Sequence, residues 1–119
     1  MRLSLHEVAL PSADSELLYV MDHQKMLIAY LTLRRYADAW LVCDIFTIAG
    51  QRHKGHAGDL LRQAIEVSEE TDLPLVLHVA GSGAPDTLDD EELTAWYRRY
   101  GFDAHPEWDD PTVLMRSID

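Results

Sequence analysis

Residues 39–48, AWLVCDIFTI, are the richest run of bulky, β-branched and aromatic residues in the chain, and they lead into a polar loop bounded by glycines, Gly50-Gln51-Arg52-His53-Lys54-Gly55. Beyond the loop, Leu60, Leu61, Ala64, Ile65 and Val67 recur at helical spacing within 57–71, and the short apolar segment 74–80 follows. This is a β-loop-α-β unit, and it restricts the chain to folds that cover a sheet with helices. The near-continuous apolarity of 39–48 predicts a central strand covered on both faces.

The flanking segments read differently. Residues 3–8, 16–22 and 26–33 suit strands, with a turn signal at 11–14 and a hairpin tip at His23-Gln24-Lys25. After a loop at 81–89, Asp89 or Asp90 suits the start of a helix running to Tyr100, which Gly101 would end in the left-handed region. Phe102 opens an extended stretch, 106–111 is a turn and 112–118 a last strand. The expected fold is α/β (α+β): a mixed, mostly antiparallel sheet with one central β-loop-α-β unit and two main helices. The 119 residues contain no repeat or linker and fit a single domain spanning 1–119.

A net charge of −11 argues against direct nucleic-acid binding, which needs a basic surface. The basic residues concentrate before residue 63; after Glu66 only Arg98, Arg99 and Arg116 remain. No run approaches the ~20 apolar residues that span a bilayer, and the N-terminus lacks the apolar core of a signal peptide. Cys43 is the one cysteine, so no internal disulfide forms. These features fit a cytoplasmic protein without a membrane partner. Cys43 reads as a buried apolar residue, Trp40, Trp96 and Trp108 as core or rim, and the His53/His56 pair lacks further ligands at a zinc-like spacing.

The loop itself carries chemistry. A helix's first turn leaves N–H groups without intrahelical partners and carries positive potential. Gly55, Ala57 and Gly58 have almost no side chain, so an anion could approach the backbone, while Arg52, His53, Lys54 and His56 add polar or basic groups. Together they describe a diphosphate cradle. A Walker loop fails, because His56 and Ala57 stand where Lys and Ser or Thr are required, and a dinucleotide fold would need several crossover units. The same residues also read as a glycine-rich helix entry with solvated charges.

Arg52-x-x-Gly55-x-Ala57 resembles the acetyl-CoA signature of the GNAT N-acetyltransferase superfamily. The later segment Ala95-Trp96-Tyr97-Arg98-Arg99-Tyr100-Gly101-Phe102 is similar to that family's late helix, with Tyr97 four residues before the Gly-Phe pair. The resemblance covers about 15–118 and departs in one respect: only a short turn separates the first two strands, where the family usually has two helices that help to form the acceptor site. In this the chain is similar to compact variants such as phage anti-CRISPR acetyltransferases. An open acceptor side suits a protein or peptide amine better than an enclosed metabolite.

The resemblance implies acetyl-CoA as co-substrate, its pyrophosphate on residues 52–58 and its pantetheine arm beside Phe46, Thr47 and Ile48. It makes Tyr97 the general acid for the leaving thiolate; without it, Tyr97 reads as a helix residue packed on the sheet. Asp44 is a candidate base or a paired structural charge. His78 is a second candidate or a satisfied core histidine. The implied activity is acyl transfer to a protein lysine or N-terminus, and a homodimer is compatible. The alternatives are a non-catalytic module that binds CoA or a protein, and an enzyme for polyamines or aminoglycosides.

Overall fold

In the computed structural model, which describes residues 4–8, 16–48, 55–79, 88–104 and 109–118, every strand joins one seven-stranded sheet. The strands are β1 (Ser4–Val8), β2 (Glu16–His23), β3 (Met26–Tyr36), β4 (Ala39–Thr47), β5 (Leu75–His78), β6 (Asp103–Ala104) and β7 (Val113–Arg116), and the helices are α1 (His56–Thr71) and α2 (Asp90–Arg98). Their order across the sheet is β1-β2-β3-β4-β5-β7-β6. All neighbours are antiparallel except β4 and β5, which flank α1. The mixed, mostly antiparallel sheet with two helices and one central crossover is the fold the sequence predicts.

Two-residue turns build the meander. Gln24 and Lys25 both take positive φ, 52° and 65°, the backbone twist that matches a tight hairpin. The strand expected at 26–33 runs on through Arg34-Arg35-Tyr36, which pair with Leu41, Trp40 and Ala39. Their polarity reads as a chain turn, yet all three are exposed and need only backbone partners.

Both helices pack on one face. Trp40 donates its indole N–H to Thr71 Oγ1 on α1 at 2.9 Å. The right-handed rule puts the β4–α1–β5 and β5–α2–β6 crossovers on the same side. Tyr100, just past α2, accordingly lies against Gly58 of α1. The core sits between this face and α1: Leu31, Leu33, Leu60, Leu61, Ala64, Leu75 and Leu114 are fully enclosed, with Phe102 beside them.

The opposite face corrects two expectations. In β4 only Trp40 is buried, so the strand is not covered on both sides, and Cys43 is exposed rather than a core residue. Both follow from the described helices packing on the Trp40 face, away from which position 43 points by alternation from Trp40; β4 also carries a β-bulge. Leu33 pairs with Val42 and Thr32 with Asp44, which leaves Cys43 as an extra residue on β4. Val42 and Asp44, two apart in sequence, therefore point to opposite faces, and Asp44 looks away from the helices.

Candidate functional site

The β4–β5 ladder is short. It holds Trp40↔Leu75, Leu41↔Val76 and Val42↔Leu77, and ends where β4 reaches the bulge. Beyond it β4 continues beside β3 to Thr47, with Ile48 N–H donating to Ile28 C=O at 2.9 Å, while β5 continues beside β7. Among the described residues the parallel pairing thus ends at Val42↔Leu77, and the two strands part there into a cleft, with β4 running on through Phe46, Thr47 and Ile48 and β5 ending at His78. A bulge bends the strand that carries it, and the parting begins at that residue.

The N-terminus of α1 opens at the same end of this parallel pair. Gly55 is the N-cap, at φ 84° and without a side-chain cap, a conformation that favours glycine. The first backbone bond of the helix is Asp59 N–H to Gly55 C=O, so the N–H groups before it have no intrahelical acceptor. Asp59, the one acid in that turn, is held by Arg62 at 2.7 Å, which moderates its negative charge at the helix mouth. His56 is buried at 8% exposure, and its Nε2 lacks a hydrogen-bond partner among the described residues. An unpaired buried polar atom costs about 1–3 kcal/mol, so the mouth of α1 is an incomplete polar environment. Arg52, His53 and Lys54 lie outside the described residues.

The small residues of this turn have distinct reasons. Gly55 is favoured by its φ, and nothing among the described residues lies within 4 Å of where a side chain would begin. Gly58 is favoured by packing: a Cβ there would stand 2.5 Å from the Tyr100 hydroxyl, which would have to shift. Its missing side chain admits the neighbouring helix end, a contact the sequence reading did not foresee. Ala57 is half-buried between them.

Tyr97 lies on α2, one turn before Tyr100. Its ring meets Trp96 at 5.0 Å and Phe102 at 5.8 Å, both edge-on, and burial pushes its phenol above the usual tyrosine range. Gly101, at φ 95°, makes the turn that returns Phe102 under that ring. Tyr97 thus belongs to the helix-bearing face and Asp44 to the open face, so they border the sheet from opposite sides.

Asp44 is not part of a buried ion pair: it is exposed and accepts a hydrogen bond from Thr32 Oγ1 at 3.3 Å. With Glu16, Thr32, Arg34 and Cys43 it lines a groove of about 270 Å³ on the open face. Burial, then the nearby Asp44 carboxylate, pushes the Cys43 thiol up, which makes it a poorer nucleophile. His78 is no core histidine. It is 62% exposed at the end of β5, 3.9 Å from Asp110, whose carboxyl is held below its usual range by the Thr112 hydroxyl and backbone N–H. Among the described residues no cluster of His, Cys, Asp and Glu could hold a metal, and no helix is long and apolar enough to cross a membrane.

No family model and no curated protein matches the sequence. Solved structures do match in shape. The anti-CRISPR protein AcrVA5 superposes with a TM-score of 0.68 at 16% identity, over 87% of this chain and 99% of that one. A PaiA N-acetyltransferase from Thermoplasma acidophilum, in complex with coenzyme A, gives 0.68 at 13% identity over 87% of this chain, which spans 61% of its length. A GNAT family acetyltransferase from Elizabethkingia anophelis with acetyl-CoA bound gives 0.71 at 15% identity over 97% of both chains. The superpositions agree on one architecture: the chain has the fold of the GNAT acetyltransferases.

Proposed function

We propose that this protein is an acetyl-CoA-dependent N-acetyltransferase acting on an amine of a protein or peptide in the cytoplasm. The observation that carries the reading is the cleft between β4 and β5 opening at the mouth of α1, where His56 Nε2 is buried and has no hydrogen-bond partner among the described residues. Donor-rich backbone at Gly55–Gly58 suits a diphosphate, and the backbone of Phe46, Thr47 and Ile48 suits an extended amide-bearing arm laid along the cleft. Two of the superposed proteins carry CoA or acetyl-CoA in their structures, which supports the same donor here.

The donor supplies an activated acetyl thioester. An unprotonated amine forms the new C–N bond while the C–S bond breaks, the amine loses one proton and the leaving thiolate takes one up. In this reading Asp44, reaching from the open face directly or through water, accepts the amine's proton; His78, at the cleft's other rim, is the alternative acceptor. Tyr97, on the helix face, carries its proton at neutral pH as any phenol does, all the more with its pKa raised by burial, and can return one to the thiolate. Access from a sheet face that no described helix covers favours an acceptor presented on a macromolecule.

Incubation with acetyl-CoA and a library of peptides should release CoA thiol, and mass spectrometry should find a two-carbon acyl addition. Tyr97→Phe should lower turnover about 10²-fold or more, the typical worth of a general acid, with little change in acetyl-CoA affinity. Unchanged turnover would remove Tyr97 from its role. Tight acetyl-CoA binding without any modified acceptor would instead identify a non-catalytic module.

A further inference from the structure

On the face away from both helices, the register stacks cross-strand pairs in adjacent rows. Tyr30 pairs with Phe46 in the row nearest the cleft, Thr32 with Asp44 in the next, and Glu16 with Arg34 in the third. The Tyr30 and Phe46 rings lie 5.4 Å apart at 33°, and Phe46 is 39% exposed. In the second row Asp44 accepts only a hydroxyl hydrogen bond from Thr32 among the described residues. In the third, Arg34 is turned to Glu16, Nε to Oε1 4.0 Å. In these rows the described cation, Arg34, lies nearest Glu16, while the Asp44 carboxylate beside the aromatic pair has no cationic partner among the described residues.

The spacing has a chemical meaning. Side chains two apart on a strand are separated by about 6.6–6.8 Å. A cation between the first two rows therefore stands within the ~6 Å at which an aromatic ring attracts it. It stands equally within ion-pairing distance of the carboxylate. The net charge of −11 favours the approach of such a group.

We propose that Tyr30, Phe46 and Asp44 form a subsite for a lysine-type alkylammonium of the acceptor, its apolar stem on the two rings and its charge facing Asp44. The subsite rests on the acyltransferase reading and adds the chemistry of the acceptor to it. A guanidinium could occupy the same place but does not lose the proton that acyl transfer requires. An N-terminal ammonium has no apolar stem to lay on the rings. The subsite therefore selects lysine over both.

The test uses n-butylammonium as probe and neutral n-butanol as its control, with the ring resonances of Tyr30 and Phe46 followed by NMR, and acetyl-CoA titrated separately by calorimetry. The expected result is saturable ring shifts with n-butylammonium, none with n-butanol, and apparent affinity at least about 10-fold weaker in Asp44→Asn and in Tyr30→Leu. Ring shifts that the alcohol reproduces, or that both variants retain in full, would overturn the subsite. If acetyl-CoA binds while the rings stay silent, the subsite alone falls. If acetyl-CoA does not bind at all, the acyltransferase reading falls and takes the acceptor role of this face with it.

Discussion

Gly58 and Tyr100 show how closely one residue's meaning depends on another. A methyl group at position 58 meets the Tyr100 hydroxyl at 2.5 Å and Cζ at 3.6 Å. Gly58→Ala should therefore destabilise the protein by about 1–3 kcal/mol through overpacking. Tyr100→Phe removes the hydroxyl and leaves the ordinary contact. In that background Gly58→Ala should become neutral, or gain up to about 1 kcal/mol from helix propensity. Urea midpoints of the four proteins in this cycle measure the coupling. Sequence reasoning reached Gly58 for another reason, the approach of an anion, because composition reports a missing side chain and not which neighbour needs the gap. It also placed Asp44 within an apolar strand. The alternation of 40, 42 and 44 puts all three on one face, and no sequence signal marks Cys43 as the extra residue that turns Asp44 outward.

Elements were more legible than residues, because their signals are local. Of the two caps the sequence offers, Asp89 is the one that caps α2, accepting from Glu92 N–H at 2.8 Å, while the Glu92 side chain accepts from Asp89 N–H at 3.2 Å. Asp89→Ala should cost about 1 kcal/mol of stability by equilibrium unfolding, whereas Glu91→Ala, outside the box, should cost much less. The periodicity of 57–71 predicted α1 to within a residue, and the motif order predicted the late helix. The boundary of β3 was less visible. Arg34-Arg35-Tyr36 form an exposed strand end whose hydrogen bonds are all main-chain, so hydropathy carries no trace of it. The short β6, with two residues, is likewise set by its pairing with β7 rather than by its own pattern.

The molecule as a whole is a sheet with its helices on one side, and burial on that side sets its response to alkali. Tyr19 and Tyr97 both have phenols raised above the usual 10.0, each chiefly by burial. Below about pH 10 both are protonated in the folded and unfolded chains, and their contribution to stability is fully present. As pH rises further the unfolded chain releases these protons first, so stability should fall through the raised pKa values. Unfolding midpoints measured from pH 8 to 11 should decline less steeply for Tyr97→Phe than for the wild type. The parted strands carry a different lesson. Asp44, Ile45, Phe46 and Thr47 keep their β3 partners whether or not position 43 is occupied, so a chain shorter by that single residue could preserve every one of those pairings. What it would lose is the bend. Its fourth and fifth strands would be free to zip further along one another, and the gap between them would become ordinary closed sheet: the opening amounts to one amino acid of slack.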